Sequence, residues 1–386
     1  MENFNKIVAA STARGANIVP GCILGAVDKS GEPFYLKAAG VSSVTEDATP
    51  MEANATFWAA SCTKLLTTIA ALQCVERGQI ALDESVSKVL PELAEPQIIS
   101  SVGDGTSQTS ISFMLRPAAK NITLWHLLTN TSGIAYDMVH PELLAWRASR
   151  GESPMGLSGK VKNGYMGGGY DWAGVLVCRL NGGITLEEYM QQHLFQPLGM
   201  KTTTFRAAKH TEITTHLAAM SQRQEDGSFQ PAQSPWPIDA EEDSGGAGIY
   251  SSVPDYMKVL ADLISDNPII LKKETVDLMC TPQITAESAM LKDPSVSQVI
   301  ATMTGISDIS AGVTWSLGSV YMTEDVGVMK KNTLVWGGMA NLVWFANRER
   351  GVAGIFASQL LPPGDAKCFD LALQFIDHIF SLASSK

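Results

Sequence analysis

The apolar positions of FWAASCTKLLTTIAALQCVERG set the first expectation. Leu65, Ile69, Leu72 and Val75 recur at helical spacing and Gly78 follows the last turn, which predicts a helix over 61–77. Residues 19–42 instead show two short apolar runs around Asp28-Lys29-Ser30-Gly31, the pattern of a β-hairpin. Strand-like runs return near the other end, in SAGVTWSLGSVYMTE and TLVWGGMANLVWFANRERGVAGIFASQ, before a helical CFDLALQFIDHIFSLA.

Between these ends the spacing is mainly helical. ITLWHLLTNTSG, HPELLAWRASRG, DWAGVLVCRLNGG and LEEYMQQHLFQPLGM each carry periodic apolar residues and end at Gly or Pro. Ile98–Ile111 is rich in small polar residues and reads as a loop. The expected architecture is α+β. An antiparallel sheet drawn from 1–75 and 245–386 would be flanked by helices, and 76–244 would form a mostly helical insertion.

Composition narrows the function. A chain of 386 residues, 45% hydrophobic and 17% charged, can bury a large core. Its net charge of -11, without a basic stripe, argues against nucleic acid as partner. The six cysteines lack CxxC pairs and regular spacing, so they read as free thiols, and no histidine has partners at metal-ligand spacing. No metal or organic cofactor is expected. No run is long and apolar enough for a membrane span, nor does a signal-like segment open the chain, so the expected setting is cytoplasmic.

Ser61 stands three residues before Lys64 at the start of the predicted helix. One turn apart, hydroxyl and amine share a face, and a helix N-terminus favours a developing alkoxide. A desolvated lysine can act as the base. Serine is equally a favoured helix cap, and Ser85 and Lys88 repeat the spacing, so the tetrapeptide alone leaves nucleophile and cap open.

The wider sequence resolves that choice by resemblance. SCTK with the helix behind it, ITLWHLLTNTSG, DWAGVLVCRLNGGITLEEYMQQHLFQPLGM, GGAGIYSSVPDYMKVL and WGGMANLVWFANRERGVAGIFASQLLPPGD follow one another as in the serine β-lactamase and penicillin-binding-protein superfamily. Within it, the chain resembles the class C-like esterases and the fungal acyltransferases of the lovastatin type. The resemblance implies that Ser61 is the acylated nucleophile and Lys64 its base. It also implies that Trp336, Gly337, Gly338 and Met339 form the substrate-facing third motif, with the amides of Met339 and Ser61 holding an oxyanion. A lysine that pairs with a drug's carboxylate is replaced by Trp336, which disfavours β-lactamase activity.

The family's motif tyrosine stands five residues before the aspartate of a DWAG-like helix start, and here that position is Met166. Either Tyr165 enters the site through the flexible glycines that follow, or Tyr170 reaches in from the first turn, or no tyrosine does. Acyl transfer to or from a natural product in secondary metabolism is the leading function, with an acyl carrier protein or coenzyme A thioester as donor. Met166 keeps open a cyclase, isomerase or lyase, and a catalytically silent binding protein. His126 reads as a capping partner of Thr123, Asp171 as a helix cap and Asp239–Asp243 as a solvated loop.

Overall fold

The protein, a computed structural model, is described over residues 2–102, 112–137, 140–152, 168–285, 287–307 and 312–384. Its hairpin forms where the turn residues put it. Gly31 takes φ +81°, its N–H donates to Asp28 O at 3.0 Å, and Asp28 Oδ1 accepts from the Ser30 N–H at 3.0 Å. The turn joins β1 (Gly21–Asp28) to β2 (Pro33–Gly40).

In chain order there follow α1 (Thr63–Glu76), β3 (Gln97–Val102), β4 (Ser112–Pro117), α2 (Gly169–Leu180), α3 (Val253–Ile264) and α4 (Pro294–Thr304). The chain then returns to strand in β5 (Val313–Trp315), β6 (Val320–Met322), β7 (Thr333–Gly338), β8 (Leu342–Asn347) and β9 (Val352–Ala357), and closes with α5 (Ala366–Ala383). The main sheet is antiparallel and runs β2-β1-β9-β8-β7-β6-β5, so its strands come from both ends of the chain.

Strand alternation places helices on both faces. Gly25 of β1 points at Met257 and Val253 of α3, and a Cβ there would strike both side chains. Gly354 of β9 pairs with Phe345 of β8, whose ring meets Phe375 and Phe380 of α5. Gly25 and Ile355 share a register pair, so Gly354 faces the other way, and α3 and α5 cover opposite sides.

Two expectations change. Part of the stretch read as loop is a second hairpin, since β3 pairs antiparallel with β4 from Gln97↔Pro117 to Val102↔Ser112. Ile98, Met114 and Leu115 of this pair stay exposed, so backbone pairing rather than burial of an apolar face holds the two strands. The helix expected to start at residue 61 is preceded by a 3-10 turn, Ala60–Cys62, and α1 begins at Thr63. Nor is α1 an amphipathic surface helix: Thr63 through Cys74 are all buried, so it is enclosed on every side.

Candidate active site

Ser61 is positioned by a strained turn at the end of a short strand. Thr56–Trp58 pairs antiparallel with Tyr250–Ser252, and the Trp58 indole N–H donates to Ala247 O at 2.6 Å. Ala60 then adopts φ +48°, a left-handed conformation that costs a residue with a Cβ and that the surrounding structure must hold. Thr63 does so, donating through Oγ1 to Ala60 O at 2.7 Å and accepting from the Ile249 N–H at 3.2 Å. Ser61 therefore sits half-buried on a pinned corner, and it caps no helix.

Lys64 Nζ donates to Ser61 Oγ at 2.7 Å and to Gly246 O at 2.7 Å. The side chain is only 5% exposed. Burial pulls its pKa down to about 8, against the opposing pull of the Asp171 carboxylate and, less, of Cys62. Its ammonium lies between two phenol rings, 5.7 Å from the centroid of Tyr136 and 5.7 Å from that of Tyr170.

Those two tyrosines differ. Tyr170 is buried in α2, its hydroxyl donates to Leu128 O at 2.7 Å, and it does not line the cavity, so the expectation that it reaches substrate is corrected. The Leu128 carbonyl, at the end of the Leu124–Leu128 helix, accepts this hydroxyl together with the Gly318 N–H at 3.0 Å. Tyr136 is the phenol on the cavity wall, and it donates to Asp171 Oδ2 at 3.2 Å. Desolvation and that carboxylate raise its pKa well above a free phenol's, so it stays neutral. Tyr136 lies just after TNTSG, away from the DWAG block beside which the motif tyrosine was expected, and no spacing in the sequence marks it. Tyr165 and Met166 lie outside the described residues.

Asp171 is no helix cap either. The α2 N-cap is Gly168, with no side-chain cap bond, and the Asp171 carboxylate instead accepts from Ser244 Oγ and from the Gly246 N–H at 2.9 Å. One buried carboxylate thus joins Tyr136 to the loop that holds Lys64. Asp243, expected in solvent, has its side chain turned inward, where it pairs with Arg206 at 2.7 Å while accepting from the Glu187 N–H at 2.9 Å. His126 does cap: its Nδ1 accepts from the Thr123 N–H at 3.1 Å. Ser85 caps the 3-10 turn Val86–Lys88, so the second serine–lysine spacing is structural.

The third motif is brought to the serine. Trp336 and Met339 line the same cavity as Ser61 and Lys64, a space of about 300 Å³, and Trp336 packs edge-on against Trp315 at 5.1 Å. The glycines do not line it. A Cβ on Gly338 would come within 2.7 Å of Ala59 O, so its absence lets β7 lie against the serine's turn. A Cβ on Gly337 would collide with Met303 O of α4.

A serine and a buried amine in a cavity against β7 of this antiparallel sheet agree with the fold that the sequence resemblance implies. The model of the β-lactamase family, described as Beta-lactamase, matches residues 11–376, and the chain belongs to that family. Acyltransferase calJ of Penicillium decumbens is 35% identical, over 95% of this chain and 94% of its own length. The lovastatin esterase of Penicillium rubens is 31% identical, covering 90% of each chain. Among solved structures, simvastatin synthase from Aspergillus terreus, in its LovD6 mutant form, superposes with a TM-score of 0.86 at 30% identity, over 99% of this chain and 95% of that one. Among the described residues no helix is long and apolar enough to cross a membrane.

Proposed function

We propose that the protein transfers an acyl group through an ester on Ser61, from a thioester donor to an alcohol of a small natural product in secondary metabolism. The relatives named above, an acyltransferase, an esterase and a synthase, favour acyl transfer over a cyclase, isomerase or lyase. The observation that carries the reading is the 2.7 Å bond between Ser61 Oγ and Lys64 Nζ, made by an amine whose pKa falls to about 8.

In the first half-reaction neutral Lys64 takes the Ser61 proton as Oγ attacks the donor's carbonyl carbon. The tetrahedral intermediate collapses, the C–S bond breaks, and the Lys64 ammonium returns the proton to the leaving sulfur. In the second, the acceptor hydroxyl gives its proton to Lys64 and attacks the acyl carbon. The bond to Oγ breaks and Oγ regains the proton, so thioester plus alcohol become ester plus thiol. Water in place of the alcohol gives hydrolysis. The amides of Ser61 and Met339 hold the oxyanion, each worth about 3 kcal/mol in the transition state. Tyr136, neutral and tied to Asp171, orients the hydroxyl that exchanges its proton with Lys64. The donor is a carrier-protein or coenzyme A thioester.

The test is intact-mass spectrometry after incubation with an activated acyl thioester. An adduct that maps to Ser61 and is absent from Ser61→Ala is the expected result. Turnover of an acyl donor by Ser61→Ala at the wild-type rate would overturn the reading.

A further inference from the structure

The acidic run Asp239–Asp243 leads into the loop that touches Lys64, and its last carboxylate faces the protein. Asp243 keeps its side chain only 4% exposed and pairs with Arg206 at 2.7 Å. The same guanidinium donates to Ala240 O at 2.8 Å, so Arg206 holds the loop at two points. Arg206 is itself anchored. Just before it, Thr204 and Tyr250 exchange both backbone bonds, at 3.0 and 2.9 Å. Glu187 closes a ring: its carboxylate accepts from the Phe205 N–H at 2.6 Å and from Thr204 Oγ1 at 2.9 Å, while its own N–H donates to Asp243. Arg206 does not line the cavity. The far end of the loop does reach the site, since Gly245 O accepts from Thr67 Oγ1 at 2.7 Å, the Gly246 N–H donates to Asp171, and Gly246 O accepts from Lys64.

We infer that Arg206 is a positioning residue for acyl transfer: through Asp243 and Ala240 it fixes the loop that sets the Gly246 carbonyl against Lys64. This rests on the reading of Lys64 as the base. Arg206→Ala leaves the Asp243 carboxylate enclosed without its counter-ion, and the loop yields to bring that charge to water. Asp243→Ala cuts the loop from both Arg206 and Glu187. In either case the loop carries Gly246 away from Lys64 and admits solvent beside the amine. Burial is the largest influence on that amine and lowers its pKa, so hydration raises it again, and water replaces the carbonyl as acceptor.

The experiment records kcat/KM against pH with p-nitrophenyl butanoate for wild type, Arg206→Ala, Asp243→Ala and the double variant. In both single variants the acid limb is expected to move up by about one pH unit, a loss of about tenfold at pH 7. The double variant is expected to move no further than either, because one strut is lost in all three. The shared direction is decisive. Through space alone, losing the positive charge raises the pKa of Lys64 and losing the negative charge lowers it, so limbs displaced in opposite directions overturn the positioning role. Limbs that stay at the wild-type pH in both single variants overturn it too, and leave Lys64 standing as the base. The position of a limb does not depend on how much of a preparation is folded, so a destabilised variant still gives an answer. A wild type with no acid limb overturns the lysine base and the positioning role together.

Discussion

The phenol of Tyr136 donates to Asp171 at 3.2 Å, and the same carboxylate holds the amide of Gly246, whose carbonyl accepts from Lys64. Three segments distant in sequence thereby share one buried charge. Asp171 is also the principal group resisting the loss of Lys64's proton. Asp171→Asn removes that resistance while keeping a side chain of the same shape. The amine's pKa then falls further below about 8, and the acid limb of kcat/KM moves to lower pH. A pH profile of the variant measures the shift; a limb that stays in place or moves up counts against the electrostatic link.

The wild-type pH profile follows from the same lysine. Burial lowers the amine from 10.5 to about 8, so the base form is scarce below that pH and abundant above it. At pH 7 about a tenth of the molecules carry neutral Lys64. We expect kcat/KM to rise about tenfold per pH unit below the limb and to level above pH 8 or so. Lys64→Arg, which cannot lose its proton in this range, is expected to abolish the limb along with most of the activity.

Tyr136→Phe removes a hydroxyl and keeps the ring. A group positioned to assist proton transfer contributes roughly a hundred- to ten-thousand-fold in rate, and a loss in that range in kcat is expected. Tyr165→Phe, measured in parallel, should remain within about threefold of wild type on the same scale. The reverse ranking would show that the residue beside Met166 supplies the phenol after all.

Gly337→Ala and Gly338→Ala separate packing from chemistry. At Gly337 the new methyl meets the backbone carbonyls of Met303 and Leu342, and backbone cannot rotate aside, so stability should drop by about 1–3 kcal/mol. At Gly338 it meets Ala59 O and Ala60 Cβ, the support of the serine's turn. There the expected loss is chiefly in kcat. Thermal melts and steady-state kinetics on both variants distinguish the two.

What could be read from the sequence was local. Asp28-Lys29-Ser30-Gly31 specified its hairpin because turn chemistry is contained in four residues. The nearness of Ser61 and Lys64 followed from one helical turn. Tyr136 was invisible because its place depends on Asp171, 35 residues on, and the Lys64 bond to Gly246 spans 182 residues. Spacing along the chain carries no trace of such contacts. The misreading of Asp171 has the same origin: at the start of a helix an aspartate fits a cap, and only the folded loop at Ser244 to Gly246 offers it better donors. The glycines of the third motif were legible as a need for close approach, yet what approaches them is the protein's own backbone.

The enclosure of α1 determines how this enzyme dies on heating. Its reactive amine is anchored in a segment with no wet side, among the last parts of such a molecule to open. Activity should therefore persist until the whole body melts, and a curve of residual turnover against temperature should overlie the calorimetric transition, without an earlier phase of silent, still-folded protein.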